Sequence, residues 1–252
     1  MIGIICGETR VNRKLRKAFG VRVQRMARIH RVSTLQSGVV VALLLACAGA
    51  SAATDDSAII PLPEPDTTGS MSLEKALASR RSIREFANAP LSAAEIGQLL
   101  WATQGVTDPA RGFRVAPSAG ALYPLQLYVA KEEGLFRYVA QRHALTRVQS
   151  GDSRPGIATA AHGQAVVREA PVLIVITAVV DRTKAKYGSR AERYVALEAG
   201  HAAQDLLLEA TALKLGATVV GAFDDEALRA AVGAGKGELP LYVVAIGRPR
   251  GP

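Results

Sequence analysis

The segment that most restricts the fold is Arg190–Leu215, which reads as one long helix with two apolar sides. At about 100° per residue, Leu197, His201, Gln204, Leu208 and Leu215 form one stripe. Val195, Ala199, Ala202, Leu206, Ala210 and Leu213 form the opposite one, and Glu198, Asp205 and Glu209 share a narrow polar seam. A helix that is apolar on two sides is buried on two sides. In a chain of 252 residues this leaves two arrangements: a helix central to the core, or one whose second side meets another subunit. His201 reads as a hydrogen-bonded packing residue and not as a catalyst.

Other helix and strand patterns alternate around that segment. Ser72–Ser79 reads as a short helix with Ser72 as its N-cap. Ser92–Gln104 is a second, in which Ser92 and Glu95 complete a capping box and Ile96, Leu99, Leu100 and Thr103 share a face. Leu125–Ala130 and Leu135–Ala140 are strand-like, with Gly134 between them. Pro171–Val180 (PVLIVITAVV) is apolar and rich in β-branched residues, as a central strand is. Gly216 is expected to stop the long helix, with a short strand at Ala217–Val220, a short helix at Asp224–Val232 and a last strand at Leu239–Ile246. No repeat is visible. The pattern is that of one α/β or α+β domain over 71–252. Residues 53–70, rich in Pro, Asp, Thr and Ser, precede it as a linker or extended arm.

Composition matters mainly through where the charge lies. The net charge is +9, yet residues 1–36 carry nine Lys/Arg and one acid, leaving 22 basic and 21 acidic groups for the rest. A nucleic-acid binder carries its basic patch on the folded domain, so nucleic acid is not expected as a partner. A 49% hydrophobic, 21% charged chain is a folded soluble protein, which excludes a disordered chain, a collagen and a multi-span membrane protein. Two cysteines, Cys6 and Cys47, exclude a disulfide framework and a structural zinc site.

The basic N-terminus runs into Gly38–Ala50 (GVVVALLLACAGA), an uncharged apolar stretch. It is shorter than the ~20 residues of a transmembrane helix and fits a signal-peptide core. Ala50-Ser51-Ala52 is an A-x-A site, so residues 1–52 are expected to be a leader cleaved before Ala53. A start at Met26 would give the compact leader MARIHR, which places residues 1–25 ahead of the expected start. The protein is then periplasmic or secreted. A membrane association is expected only if the leader stays uncleaved or if Cys47, in the partial lipobox Leu44-Leu45-Ala46-Cys47, is lipidated.

Three short motifs carry candidate chemistry. Arg80-Arg81-Ser82-Ile83-Arg84-Glu85-Phe86 follows the first helix. In an extended segment Arg80, Ser82 and Arg84 point the same way, and two guanidiniums with a hydroxyl suit a phosphate dianion; a solvated basic turn is the plain alternative. Pro117-Ser118-Ala119-Gly120-Ala121-Leu122-Tyr123-Pro124 has small side chains that let backbone amides approach a flat ligand, or it is an ordinary turn. Ser118 partly mimics a nucleophile elbow, but the first glycine of that motif is missing and Pro124 follows where a helix is needed. Gly221-Ala222-Phe223 lies between a strand and a capped helix, and Gly247-Arg248-Pro249 closes the last strand with a further arginine.

Together and in this order, these motifs resemble the nitroreductase-like FMN flavoproteins, and more closely the SagB-type dehydrogenases, whose members include azoline oxidases. The resemblance spans Ser72 to Pro249 and is carried by RRSIREF, LLWATQGVT, PSAGALYPLQLYV, KYGSRAERY, LEAGHAAQDLLLEA and VGAFDDE. It implies an α+β three-layer fold with a mainly antiparallel central sheet flanked by helices. It also implies an intertwined homodimer with FMN at the interface, both subunits contributing. Carried over by position, Arg80, Arg81, Ser82 and Arg84 would hold the FMN phosphate and ribityl chain, joined by Arg248. Pro117, Ser118 and Gly120 would line the isoalloxazine, and Gly221 and Ala222 would present backbone N–H groups to it. Lys186-Tyr187 matches a Lys-Tyr pair that looks like the base of azoline oxidases; a surface loop with snorkelling lysine is the plain alternative. Where many nitroreductases have an asparagine four residues after the proline, this chain has Ala121, which favours the SagB-like branch.

The expectation is an exported, FMN-dependent oxidoreductase that moves hydride between a small-molecule or peptide substrate and FMN. NAD(P)H is not expected outside the cytoplasm, which favours a dehydrogenase over an NAD(P)H-dependent nitro- or quinone reductase. A flavin-binding protein without turnover is the non-enzyme alternative, and a serine hydrolase a third.

Overall fold

The structure is a computed structural model in which residues 59–251 are described. The expected leader, its cleavage site and Cys47 lie outside those residues. In chain order the elements are β1 (Ile59–Pro61), α1 (Leu73–Ser79), α2 (Ala93–Gln104), β2 (Val106–Asp108), β3 (Phe113–Arg114), β4 (Leu125–Lys131), β5 (Gly134–Val139), β6 (Ala144–Ser150), α3 (Arg154–Ala160), α4 (Ala165–Glu169), β7 (Val172–Val179), α5 (Val180–Tyr187), α6 (Ala191–Ala212), β8 (Gly216–Val220), α7 (Asp225–Ala231) and β9 (Glu238–Gly247).

Seven strands form one sheet in the order β1-β6-β5-β4-β7-β9-β8. Each ladder in it is antiparallel, while β2 and β3 pair as a separate hairpin. The β-branched run becomes β7, and β4 and β9 flank it. Its residues alternate between two cores, as strand geometry requires. Ile174 and Ile176 pack with Leu99 and Leu100 of α2 and with Val195, Ala202 and Leu206 of α6. Leu173 and Val175 pack with Ile157 of α3, Val167 of α4 and Leu228 of α7. The result is the expected α+β three-layer arrangement, helices on both faces of an antiparallel sheet.

The helix starts follow their local signals. Ser72 Oγ accepts from the Lys75 amide, and Ser92 and Glu95 form the full capping box. The long helix ends at Ala212, earlier than expected, and its chain turns through Lys214 at φ +59°. Gly216 opens β8 instead of closing the helix. It is glycine because a Cβ there would stand 2.7 Å from Ile83 Cγ2.

One apolar stripe of α6 is buried within the chain along most of its length, while of the other Leu215 is buried and Leu208 half-buried but the Leu197–Gln204 part is exposed. Val195, Ala199, Ala202, Leu206 and Ala210 are at most 1% exposed, whereas Leu197 is 53% exposed. His201 and Gln204 beside Leu197 are exposed as well. His201 is therefore not a packing residue of this chain's core: among the described residues it stays exposed.

The segment before the domain, expected as a linker or extended arm, packs on it in part. From Ile59 onward it joins the sheet: β1 pairs with Ala144–Thr146 at the edge. Leu62 is buried, and Gln98 of α2 holds Asp66 through both its amide nitrogen and oxygen. Polar, partly exposed β6 and the short β1, β2, β3, α3 and α4 carry too little periodicity to be seen in the sequence.

Candidate active site

The Ser118–Pro124 loop enters β4 and is held from beneath by α6. Ser118 Oγ donates to Glu198 Oε2 at 2.6 Å and accepts from the Tyr123 amide at 2.9 Å. Glu198 is 3% exposed. Its burial lifts the carboxyl to about 7, against the downward pull of the Ser118 hydroxyl, the Arg114 guanidinium and the Ala119 amide. Glu198 Oε1 is buried without a hydrogen bond among the described residues. Ser118 thus meets a carboxylate, and among the described residues no histidine contacts it, so the arrangement is not that of a serine nucleophile.

Lys186 and Tyr187 close over this loop. They end α5, which follows β7 directly. Gly120 sits at φ +64°, and a Cβ on it would lie 2.9 Å from Tyr187 Oη and 3.0 Å from Lys186 Nζ. The glycine therefore serves two ends: it adopts the left-handed backbone and leaves room for both side chains. Lys186 Nζ lies 5.5 Å from the centre of the Tyr187 ring. That ring stacks edge-on against Tyr194 at 5.1 Å, which fixes its tilt. Pro117 and Gly120 are exposed on the same loop, and Lys186 is exposed while Tyr187 is half-buried. The expected base pair and the expected flavin-facing loop meet here.

One turn before Lys186 on α5, Arg182 donates to the Tyr123 carbonyl at 3.1 Å. Arg114 of β3 stacks over the Tyr123 ring at 4.7 Å and donates to Gln104 Oε1 at 2.9 Å. Sequence reasoning missed Glu198, Arg114, Gln104 and Arg182. Glu198 had a signal: it is spaced three from Val195 and four from Ala202, so it shares their buried face. Arg114 and Gln104 had none, since their meeting depends on how β3 folds back on α2.

The phosphate-directed arginines form a second group. The Arg80–Phe86 segment lies extended at the sheet edge, where Ser82 bridges to Ala217 and Phe86 to Pro249. Ile83 and the buried Phe86 turn toward Gly216 and Gly247. Ser82 and Arg84 are exposed and Arg80 is half-buried. Among the described residues the Arg80 and Arg84 guanidiniums make no hydrogen bond or ion pair. Arg81 instead folds back to donate to the Ala78 and Arg80 carbonyls, capping the end of α1. Arg248 pairs with Glu95 at 2.9 Å, the same carboxylate that completes the capping box of α2. Gly221 and Ala222 are exposed at the end of β8, and Gln164 Nε2 donates to the Ala222 carbonyl at 2.9 Å.

The chain does not bring these two groups together. Val172 at the start of β7 pairs with Ile246, two residues before Arg248. Val179 at its other end donates to the Pro124 carbonyl. Eight strand residues separate the ends, about 25 Å along a strand.

Comparison with known proteins bears on this geometry. Residues 77–248 match the Nitroreductase family. A protein of Methanocaldococcus jannaschii is 40% identical over 199 residues, covering 77% of this chain and 98% of that protein. A crystal structure from Ralstonia eutropha is 33% identical with a TM-score of 0.71, covering 77% of this chain and 90% of that one. One from Desulfovibrio desulfuricans, in complex with FMN, is 23% identical with a TM-score of 0.55, covering 72% and 88%. All three carry the name "putative nitroreductase".

Proposed function

The chain belongs to the nitroreductase family, and we propose that this FMN-dependent oxidoreductase works as a SagB-type dehydrogenase on a small-molecule or peptide substrate. The observation that carries the proposal is the convergence of Lys186 and Tyr187 on Gly120, beside the Ser118–Glu198 contact. A reductase that only passes electrons needs no base at that position, whereas a dehydrogenase must remove a proton as hydride departs.

The residues present fit FMN. Arg80 and Arg84 offer guanidiniums without partners among the described residues, on one side of an extended segment that also carries Ser82. Such a set matches a phosphate dianion. Arg248 stands near the end of β9 with Glu95 orienting it. The loop of small residues at Pro117, Ser118 and Gly120 leaves an open surface for a flat ring, and Gly221 and Ala222 offer exposed peptide groups. When bound, FMN supplies the hydride acceptor. Lys186 and Tyr187 would hold or take the substrate proton. Glu198 keeps the Ser118 hydroxyl pointed into the protein and so fixes the shape of the loop.

Because the two groups stand at opposite ends of β7, one chain offers two half-sites. A homodimer that joins one protomer's arginines to its partner's loop would complete them, and the uncovered Leu197–His201 side of α6 offers apolar surface for it. Export, with cleavage before Ala53, rests on the leader's sequence pattern and favours a substrate over NAD(P)H as hydride source.

The test is spectroscopic. Purified full chain should show a flavin absorbance spectrum, release FMN on heating, and keep its colour when NADPH is added without oxygen. A screen of small molecules and heterocycle-bearing peptides should then find one that bleaches it. Rapid anaerobic bleaching by NADPH would replace this reading with the nitro- or quinone reductase, and a colourless protein that cannot be reconstituted would remove the flavin.

A further inference from the structure

Beside the Ser118–Pro124 loop, at the end of the sheet where α5 begins, lies a half-open cavity of about 270 Å³. Its lining includes Arg114, Arg137 and Arg182 together with Gln104, Gln126 and Gln141, and no acidic side chain. None of the three arginines forms an ion pair among the described residues. Arg182 spends one donor on the Tyr123 carbonyl and Arg114 one on Gln104 Oε1. The remaining donors include two that are buried and bonded to nothing among the described residues: Arg114 Nε and Gln104 Nε2. Gln104 itself is 1% exposed.

Orphaned buried donors are costly, and native proteins leave few of them. Here they belong to a guanidinium and a primary amide that line the same cavity, next to two further guanidiniums. Burial lowers the proton affinity of Arg114, and the charge of Arg182 lowers it further. Glu198, whose charge acts on Arg114, bonds to Ser118 and does not line the cavity. Positive charge in excess, orphaned donors and no carboxylate in the lining together define the complement of an oxyanion.

We infer that this cavity binds a small oxyanion, a carboxylate or phosphate, either as an anionic group of the substrate or free in solution. Arg114 and Gln104 would hold its inner face and Arg137 and Arg182 its mouth. Arg182 and Lys186 share a face of α5, one turn apart. An anionic group held by Arg182 would thus be tethered one helical turn from the proposed base. The inference rests on the reading of the Ser118 loop as the substrate side of the site only for the substrate source, since anion binding stands without it.

Full-length protein as purified is titrated by calorimetry with inorganic phosphate, malonate and benzoate at constant ionic strength, with chloride as control. At least one oxyanion should bind once per chain. Arg137→Gln with Arg182→Gln should weaken it roughly tenfold or more. The single Arg137→Gln variant, on an exposed strand position, should weaken it in part if the double variant does not fold. Phosphate binding alone assigns the site to free phosphate. Benzoate binding that also shifts the flavin spectrum assigns it to a substrate carboxylate, and either supports the inference. Binding no stronger than chloride, binding unchanged in the variants, or phosphate binding that vanishes when FMN is added would overturn it. A flavin-free protein that still binds these anions would overturn the cofactor reading while upholding this one.

Discussion

Glu198 is a buried carboxyl whose titration contributes to the pH dependence of the fold. Its carboxyl titrates at about 7 when folded, raised chiefly by burial. A raised folded value means that the native state holds a proton the unfolded chain gives up. That stability is fully present below the ordinary carboxyl range and is lost as pH rises through about 7. Denaturant unfolding should therefore show Glu198→Gln gaining on the wild type by about 2–3 kcal/mol between pH 5 and pH 8. Parallel pH profiles for the two proteins would show that Glu198 is ionised and compensated in the fold. Two neighbours carry the catalytic expectation. Lys186→Ala and Tyr187→Phe should keep flavin bound yet slow its anaerobic reduction by substrate by ~10²–10⁴-fold, the usual loss for a positioned base. Reoxidation should be unaffected. Wild-type reduction rates in both variants would make the pair a packing feature over Gly120.

Among the elements, α2 joins stability to the phosphate-directed group. Its first turn is closed by Ser92 and Glu95, and Glu95 also holds Arg248 from the end of β9. Ser92→Ala should cost about 1 kcal/mol through the missing cap. Its thermal unfolding should shift while flavin content stays constant. The exposed Glu95–Arg248 pair itself adds little stability; its role is to aim the guanidinium. The extended Arg80–Phe86 segment is the complementary case, because its exposed residues pack against nothing. Arg80→Ala with Arg84→Ala should leave unfolding nearly unchanged. FMN affinity should fall roughly a hundredfold, because two charge-assisted hydrogen bonds to the phosphate can no longer form. Full flavin retention after dialysis of that variant would move the phosphate elsewhere. The sequence groups Arg81 with these residues, yet its donors are used to cap α1. Position in a motif does not tell that it turns back.

At the scale of the molecule, the question is what covers the second side of α6. Leu197 is 53% exposed, with His201 and Gln204 beside it. Leu197→Arg places a charge there without touching the chain's own core. Sedimentation should show wild-type dimer and variant monomer, and the monomer should lose flavin, because each half-site then lacks its complement. A variant that sediments as a dimer with full flavin would place the interface on another face.

Elements whose information is local could be read directly from residue order. The Ser92–Glu95 cap is a contact within one turn, the β7 run buries both faces, and the two stripes of α6 follow from its period. Residue order also carried the family likeness, because short motifs with fixed spacing survive in one dimension. Tertiary structure alone decided the rest. It put Lys186 and Tyr187 over Gly120, turned Arg81 onto a helix end and Arg248 onto Glu95, and buried Glu198 beneath Ser118. It also gathered Arg114, Arg137 and Arg182 around one cavity. Most of these groups stand tens of positions apart in the chain. Their energies depend on which groups lose water together, which no local pattern records.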